Sequence, residues 1–286
     1  MITRFAPSPT GPLHLGHAYS AFVGFDLARK MGGKFLVRIE DIDTTRCRPE
    51  WEKQIFDDLR WLGIEWEEPV LRQTERSSAY RDALEVLWSI GLLYQCDCSR
   101  RDVREAIRAP QDGGHWPDGP DGPVYPGTCL KKHSRSGSMP DDVVLRLDVS
   151  ESLKLVPQAI DFEELGCGPR QEKGTIAAKA DHYMGQIGDV VLARRDMAGS
   201  YHLSVVLDDA FQAVTHVVRG QDLFDATRIH VLLQALLGQP TPAYLHHRLI
   251  TDGAGKRLAK RDDARAIATY RAEGATPADI RRMVGL

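Results

Sequence analysis

The chain has no hydrophobic run long enough to cross a membrane, since nowhere do about 18 apolar residues follow one another. Its first residues lack the basic segment and long apolar stretch of a secretory leader, so we expect neither a leader nor a membrane partner. The sequence also lacks an excess of charge of either sign, because 37 Lys and Arg against 40 Asp and Glu give a net charge of −3. A molecule-wide basic field is therefore excluded, and a nucleic-acid partner would have to bind a local basic patch.

Cysteine is scarce and odd in number. The chain has five cysteines, and Cys96 and Cys98 stand too close together in sequence for a disulfide scaffold. This pattern fits a reducing cytoplasm. No internal repeat is visible, and 286 residues are enough to bury a sizeable core in one large domain or two small ones.

The stretch with the most functional signals lies at the N-terminus, where a short apolar run over 2–6 precedes a loop rich in proline and glycine. Three prolines within 7–12 prevent regular structure there, and apolar residues at helical spacing follow over 18–27. The pattern predicts strand, loop and helix, with His14 and His17 at the start of the helix. A helix N-terminus suits phosphate, and two imidazoles add hydrogen-bond donors. The alternative is a proline-rich turn with two solvated histidines.

A second predicted strand, over 34–40, would complete a βαβ unit whose strands run parallel. It ends in an acidic stretch from Glu40 to Asp43. Carboxylates just past the end of such a strand lie where open α/β sheets bind ligands, although a charged loop is the alternative. Other periodic stretches predict helices over 49–62, 78–90, 99–108 and 227–237, and strands over 143–149, 189–193 and 214–218.

Three cysteines suggest a metal site. Cys96 and Cys98 precede the segment 109–129, and Cys129 ends it. The Pro, Gly and Asp residues of this segment cannot pack a core, so it needs a cross-link such as a bound metal. Zinc takes a closed tetrahedral set of four ligands, so a fourth is required, and His115 is the generic choice. Three buried free cysteines are the alternative.

Two basic features stand later in the chain. Arg219 closes the predicted strand 214–218, and an arginine at a strand end can hold a carboxylate through two hydrogen bonds. The loop 255–261 is basic, and a flexible cationic loop can fold over a phosphate group and neutralise its charge. A solvated charged face is the ordinary alternative.

These stretches together resemble the class I aminoacyl-tRNA synthetases. The loop Pro-Ser-Pro-Thr-Gly at 7–11, followed by His-Leu-Gly-His at 14–17, resembles the HIGH-type signature in its glutamyl/glutaminyl form. The segment 38–43 resembles that branch's Arg-Ile-Glu-Asp-Thr-Asp, and the segment ending at Arg219 and Gly220 resembles its Thr-His-Val-Ile-Arg-Gly.

The basic loop is similar to the KMSKS loop of this family, although it departs from that pattern. Arg257 replaces the first Lys, Leu258 the Met and Ala259 the Ser, whereas Lys260 keeps the second Lys. His202 is a further departure, because the nearest family pattern has Gln beside the tyrosine that matches Tyr201.

The resemblance implies an α/β fold, namely a Rossmann-like parallel sheet catalytic domain with a zinc-bearing insertion and a short helical C-terminal end. The expected divisions are 1–95 and 181–240 for the two halves of the catalytic domain, 96–180 for the insertion, and 241–286 for the KMSKS-like loop and C-terminus. It fits the glutamyl-queuosine tRNA(Asp) synthetases, truncated paralogues of glutamyl-tRNA synthetase without its long anticodon-binding part.

In that family the activity is ATP-dependent activation of L-glutamate and its transfer to the queuosine base in the anticodon of tRNA(Asp). The implied catalytic residues are His14, His17 and Lys260, and the implied ATP-binding residues are His14, Gly16, His17 and Lys260, with Mg²⁺ accompanying ATP. The implied glutamate-binding residues are Arg4, Phe5, Ala6, Pro7, Ser8, Glu40, Tyr201 and Arg219. One structural Zn²⁺ per chain would be held by Cys96, Cys98, Tyr125 and Cys129.

We therefore expect a cytoplasmic monomer that uses glutamate, ATP and queuosine-containing tRNA(Asp). Two other functions fit parts of the sequence: conventional charging of tRNA(Glu), and a non-catalytic paralogue that binds tRNA, which the altered KMSKS-like loop favours. A small-molecule nucleotidylyltransferase would also use the His-x-Gly-His pattern, but it would need neither the glutamate-pocket residues nor the cysteine cluster.

Overall fold

The computed structural model describes residues 1–108, 116–251 and 265–286. Within these ranges the strands are β1 (Ile2–Phe5), β2 (Lys34–Ile39), β3 (Glu67–Arg72), β4 (Leu93–Cys96), β5 (Asp118–Gly119), β6 (Gly122–Pro123), β7 (Val144–Leu147), β8 (Ala159–Glu164), β9 (Gly174–Lys179), β10 (Val191–Ala193), β11 (His216–Gly220) and β12 (Ala243–His247). The α-helices are α1 (Leu15–Lys30), α2 (Pro49–Trp61), α3 (Ser77–Ser89), α4 (Arg100–Arg108), α5 (Val149–Ser152), α6 (Ala180–His182), α7 (Tyr201–Phe211), α8 (Thr227–Leu236), α9 (Ile267–Ala272) and α10 (Pro277–Met283).

The N-terminal part forms a parallel three-stranded sheet in the order β1-β2-β3. Strands β1 and β2 pair from Ile2 opposite Lys34 to Phe5 opposite Val37, and α1 crosses between them. The apolar residues Phe22 and Phe25 of α1 are buried in the same core as these strands. The predicted βαβ unit, with parallel strands, is confirmed.

The second parallel sheet has the order β11-β12-β8-β9, in which only β9 runs antiparallel to its neighbour. It lies beside the first sheet, because the Thr215 N–H donates to the Ile2 carbonyl over 3.0 Å and Arg4 donates to the Val218 carbonyl over 3.5 Å. The start of β1 thus meets the start of β11, and both strands run the same way. Their carboxyl ends therefore open on the same side, where α/β proteins bind ligands.

A third sheet, β10-β7-β4, is antiparallel, and β5 and β6 form a short hairpin. Tyr94, Cys96, Tyr125 and Cys129 make a small hydrophobic cluster of their own beside this sheet. The range 96–180, which the sequence assigns to an insertion, also includes β8 and β9 of the second parallel sheet. The domain boundaries stay a prediction.

The last two helices pack against the start of the chain. Arg281 of α10 pairs with Asp26 of α1 through two hydrogen bonds of 2.7 and 2.9 Å, and the Ile267 N–H donates to the Leu13 carbonyl over 2.8 Å. This end therefore holds the loop that precedes α1. Among the residues that the structure describes, no helix combines the length and apolarity needed to cross a bilayer.

The α/β fold with a parallel sheet is confirmed, whereas several strands were not predicted. Strand β8 is the clearest case, since Asp161, Glu163 and Glu164 make half of it acidic and such residues are rare in strands. Its side chains nevertheless alternate between exposed and buried positions. Glu164 is buried because His246 of β12 satisfies it, a partner that the local pattern does not reveal.

Candidate active site

A cavity of about 570 Å³ opens where β1, β2 and β11 end. All eight residues predicted to bind glutamate line it, namely Arg4, Phe5, Ala6, Pro7, Ser8, Glu40, Tyr201 and Arg219. His14, Gly16 and His17 line the same cavity, so the structure brings together three stretches that are far apart in sequence. The roles of these residues stay predictions.

Lys260 and the whole predicted loop 255–261 lie outside the described residues. Described residues before and after this loop belong to the cavity lining or contact it. Ile250 lines it, and the backbone of Ala266 pairs with that of His14.

His14 and His17 are both fixed to the first turn of α1. His14 is the N-cap residue, and its Nδ1 accepts the Gly16 N–H over 3.1 Å, while Nδ1 of His17 accepts the His14 N–H over 3.2 Å. Because each Nδ1 is an acceptor, a neutral ring in either place carries its proton on Nε2. A side chain at position 16 would crowd the His14 ring, since a Cβ atom there would lie 3.0 Å from its Cε1.

Four charged side chains form a buried network behind the cavity. Arg4 donates to both oxygens of Asp209, over 2.9 and 3.2 Å, and Arg38 donates to Asp209 over 2.7 Å and to Glu40 over 3.2 Å. Two guanidinium groups thus face two carboxylates, and the set is close to neutral. Arg38 is completely buried, so it acts behind Glu40 rather than at the ligand.

The two carboxylates of this network respond differently to burial. Burial opposes the ionisation of Asp209, but Arg4 and Arg38 together lower its pKa to about 2. The same burial raises the pKa of Glu40 above its ordinary value, and Arg38 and Arg4 offset only part of the shift. Glu40 is therefore a carboxylate that a cationic group in the cavity would stabilise.

Arg219 is buried at the end of β11 with most of its hydrogen bonds already made. Its Nε donates to Nε2 of His246 over 3.1 Å, one terminal nitrogen contacts Nδ1 of His230 over 3.0 Å, and the other donates to Thr227 over 2.7 Å. Its guanidinium also lies over the ring of Tyr244, 5.1 Å from the centroid. The orientation of this guanidinium is fixed before any ligand binds.

A second cavity of about 1010 Å³ lies next to the first, and Tyr201 lines both. Its lining is rich in arginine and contains Arg46, Arg100, Arg104, Arg146, Arg194 and Arg195. It also contains four aspartates, of which Asp43 pairs with Arg46 and Asp189 accepts a hydrogen bond from Tyr94. Although the chain is nearly neutral overall, this cavity is a local basic surface.

The three predicted cysteine ligands are close together. The Sγ atoms of Cys96, Cys98 and Cys129 all lie within 4.8 Å of one another. The hydroxyl oxygen of Tyr125 is 3.4 Å from the sulfurs of both Cys96 and Cys98, and it also accepts the Cys129 N–H over 2.9 Å. Three sulfurs and one phenolic oxygen make a four-atom donor set of the size that zinc requires.

The surroundings of this donor set also suit a metal. The Arg146 Nε donates to the Cys96 sulfur over 3.2 Å, and its guanidinium lies 3.7 Å from the Tyr125 ring centroid. A cation in this place offsets the negative charge of thiolate ligands. His115, the generic choice for a fourth ligand, lies outside the described residues.

Comparison with known proteins identifies the family. The family model described as the catalytic domain of class I tRNA synthetases (E and Q) matches residues 1–286.

The chain belongs to the class I glutamyl and glutaminyl tRNA synthetase family.

Its relatives place it more narrowly. It is 60% identical to the glutamyl-Q tRNA(Asp) synthetase of Rhodobacter capsulatus over 287 residues, which cover 100% of both chains. The protein of the same name from Symbiobacterium thermophilum is 40% identical over 97% of this chain and 83% of its own length. The chain is thus recognised as a ligase of the glutamyl-Q tRNA(Asp) synthetase type.

Solved structures agree with this family. A glutamate tRNA ligase from Elizabethkingia meningosepticum superimposes with a TM-score of 0.75 at 27% identity. The match covers 100% of this chain and 60% of that ligase. A methionyl-tRNA synthetase from Mycobacterium tuberculosis, at 13% identity and a TM-score of 0.57, shares the fold alone.

Sequence reasoning about this synthetase missed the residues that support the first cavity. Asp209 and Arg38 lie inside stretches that resemble the family, but neither stretch shows that Asp209 bridges Arg4 and Arg38. His230 and His246 carry no motif at all, and they become visible only through their contacts with Arg219.

Proposed function

We propose that this synthetase activates L-glutamate with ATP and transfers the glutamyl group to the queuosine base in the anticodon of tRNA(Asp). The observation that carries the proposal is the pair of adjoining cavities. One is lined by buried charges suited to an amino acid, the other is lined by arginines suited to RNA, and Tyr201 lies between them. The names of the most similar curated relatives support the same reaction.

The charges of the first cavity match those of glutamate. Arg219 would hold the side-chain carboxylate, because its guanidinium is buried, oriented and permanently charged. Glu40 would accept the ammonium group, which would compensate for the burial that raises the pKa of Glu40. Arg4 is largely committed to Asp209, so its contribution to a ligand is the positive potential of a paired group.

Activation requires a carboxylate oxygen of glutamate to attack the α-phosphorus of ATP. The new P–O bond forms as the bond to pyrophosphate breaks, giving glutamyl adenylate and pyrophosphate. His14 and His17 would donate their Nε2–H groups to the α-phosphate, whose charge is largest in the transition state. Class I synthetases use ATP with Mg²⁺, and the predicted role of Lys260 at the leaving pyrophosphate lies outside the described residues.

Transfer follows when a hydroxyl oxygen of the queuosine base attacks the glutamyl carbonyl. AMP leaves with the bonding electrons, and the hydroxyl proton is lost to solvent or to the departing phosphate. The arginines of the second cavity would hold the phosphates of the anticodon loop so that the base reaches past Tyr201.

One structural zinc ion would be held by Cys96, Cys98, Tyr125 and Cys129. In that place it would cross-link β4 to the segment that follows the β5–β6 hairpin, close to the arginine-lined cavity. The ion would stabilise the fold there, since all four ligand positions are filled by protein.

A direct assay tests the proposed function. Purified protein is incubated with ATP and radiolabelled glutamate, with tRNA(Asp) that has or lacks queuosine, and with tRNA(Glu). We expect label only on queuosine-containing tRNA(Asp). The variant His17→Ala should lower the rate of ATP–pyrophosphate exchange by about 100-fold, which is typical for loss of one transition-state donor. His182→Asn, which lies away from both cavities, is the matched control.

The same assay distinguishes the alternatives. Label on tRNA(Glu) would make the chain a conventional glutamyl-tRNA synthetase, which its similarity to the solved glutamate tRNA ligase favours. Absence of both pyrophosphate exchange and labelled RNA would leave a tRNA-binding paralogue without catalytic activity.

A further inference from the structure

Arg219 is the centre of a continuous chain of hydrogen bonds, buried except at Asp121, that ends at a carboxylate on each side. On one side, Arg219 contacts His230 over 3.0 Å, and Nε2 of His230 contacts Nδ1 of His202 over 3.0 Å. Nε2 of His202 then reaches the carboxylate of Asp121 on the turn of the β5–β6 hairpin, over 2.8 Å. On the other side, Arg219 contacts His246, which contacts Glu164.

The arginine determines where every proton in the first branch lies. A guanidinium can only donate, so Nδ1 of His230 must be an acceptor and the proton of this ring must lie on Nε2. That proton is donated to Nδ1 of His202, whose own proton therefore lies on Nε2. His202 then donates to Asp121, the carboxylate acceptor at the end of the branch.

In the second branch Arg219 again acts only as a donor, but here the histidine is protonated at Nδ1. The Nε–H of Arg219 donates to Nε2 of His246, so the proton of this ring lies on Nδ1. Nδ1 contacts a carboxylate oxygen of Glu164, whose other oxygen accepts the His246 backbone N–H over 2.9 Å. His246 and Glu164 are both buried, which protects this branch from competing water.

Both branches require neutral imidazoles, and the surroundings of His230 and His246 favour neutral rings. Burial lowers the pKa of His230 well below its ordinary value, and the positive charge of Arg219 lowers it further. Burial also lowers the pKa of His246, although Glu164 partly opposes this. At the carboxylate end, partial burial disfavours ionisation of Asp121, yet the hydrogen bond from His202 lowers its pKa, and Arg194 acts in the same direction.

The two branches decide which donors of Arg219 remain for a ligand. A guanidinium has five N–H groups. One is taken by each of His230, His246 and Thr227, so two are left, one on each terminal nitrogen. Two parallel N–H groups are what a carboxylate needs for a bidentate pair.

We propose that His202 and Asp121 are positioning residues for recognition of the substrate carboxylate, which they reach through His230 and Arg219. The proposal rests on the proposed glutamate-binding role of Arg219. Without an acceptor at position 202, the His230 ring can rotate or change tautomer, and Arg219 then loses the acceptor that helps to hold its guanidinium in place. Asp121 lies on the hairpin next to the second cavity, so the hairpin helps to shape the amino-acid pocket.

Paired substitutions at His202 test the proposal. His202→Gln keeps an acceptor and a donor on one planar group, whereas His202→Leu keeps similar bulk and removes both. We expect His202→Leu to raise KM for glutamate by about 10-fold in pyrophosphate exchange with kcat changed less than about 2-fold, because one hydrogen bond to a charged group is weakened. His202→Gln should stay within about 2-fold of the unmodified protein in both constants.

A second pair tests the end of the branch. Asp121→Ala should raise KM for glutamate by about 3-fold, a smaller effect because Asp121 is 55% exposed and water can replace part of its role. Asp118→Ala, an exposed aspartate on the same hairpin, is the matched control. An unchanged KM in His202→Leu, or equal damage in His202→Leu and His202→Gln, would overturn the proposal.

The histidine tautomers can also be measured directly, without an activity assay. In protein with ¹⁵N-labelled histidine, long-range ¹H–¹⁵N correlation spectra should show His202 and His230 protonated only at Nε2 and His246 only at Nδ1. A doubly protonated His230 at neutral pH, or one protonated at Nδ1, would refute the hydrogen-bond chain even if the variants fold poorly. If the unmodified protein does not bind glutamate, the proposed function fails. These spectra still show whether the hydrogen-bond chain from Arg219 to Asp121 exists.

Discussion

Three buried arginines lie at or behind the first cavity, and each is held by fixed partners. Arg38 pairs with Asp209 and Glu40, Arg4 pairs with Asp209, and Arg219 is held by histidines and Thr227. Leaving one such charge buried and unpaired costs about 3–5 kcal/mol, so the carboxylates are as important as the arginines. Because Asp209 already satisfies Arg4, the proposed recognition of an incoming carboxylate would fall mainly to Arg219.

At the residue scale, the proposed role of Glu40 predicts that glutamate binding depends on pH. Burial raises the pKa of Glu40, and only its ionised form attracts an ammonium group. As the pH falls through this raised pKa, the carboxylate is lost, so KM for glutamate should rise on acidification. Glu40→Gln should raise KM by about 10-fold at neutral pH and should remove the increase of KM on acidification.

Pyrophosphate exchange followed from neutral to acidic pH, corrected for any change in kcat, measures the effect. Glu65→Gln, an exposed position after α2, is the control that should keep the slope of the unmodified protein. An identical slope in Glu40→Gln would show that another group titrates.

At the scale of elements, the strand, loop and helix at the N-terminus could be predicted because local rules determine them. Three prolines break regular structure, and the helix that follows has its apolar residues at helical spacing. Strand β8 could not be predicted, because its acidic Glu164 is stabilised by His246, which follows 82 residues later. The same limit hid His230 and Asp209, whose importance depends on partners from other elements.

For the cysteine cluster, the sequence predicted three ligands but did not show which residues surround them. Cys96 and Cys98 are close because β4 ends there, and Cys129 returns beside them after the hairpin. The contact from Arg146 and the pairing of Asp97 with Lys132 and His133 were not visible in the sequence. These contacts join the same two segments that a metal would join.

Metal analysis tests this element. Protein purified without chelator should contain one zinc ion per chain by mass spectrometry, and Cys129→Ser should lose it and melt several degrees lower. Tyr125→Phe should weaken zinc retention against a chelator, since it removes the oxygen ligand alone. Cys167→Ser, outside the cluster, is the control. A zinc-free unmodified protein, or full retention in Tyr125→Phe, would contradict the four-ligand set.

At the scale of the whole molecule, a nearly neutral chain concentrates basic residues around one cavity. The sequence predicts that an RNA partner needs a local patch, but the arginines of that patch come from separate stretches around positions 46, 100–104, 146 and 194–195. Only the fold brings them together, beside the antiparallel sheet β10-β7-β4, of which Arg146 and Val191 line the cavity. Tyr201, at the start of α7, links this surface to the cavity proposed for glutamate.

Helix α4 allows a matched test of RNA binding at this surface. Arg100 and Arg104 are one turn apart and line the second cavity, whereas Arg101 on the same helix pairs with Glu105 and does not line it. Arg100→Ala and Arg104→Ala should each weaken binding of tRNA(Asp). Each should also reduce the slope of log affinity against log salt by about 0.7–0.9 for every phosphate group that the variant no longer neutralises.

Arg101→Ala should change neither the affinity for tRNA(Asp) nor its salt dependence, although it removes the same formal charge from the same helix. The comparison, made by titrating labelled tRNA(Asp) at several salt concentrations, therefore separates binding inside the cavity from a general effect of net charge. Equally weakened binding in Arg101→Ala and Arg104→Ala would mean that RNA senses only the overall charge of α4 and does not enter the cavity.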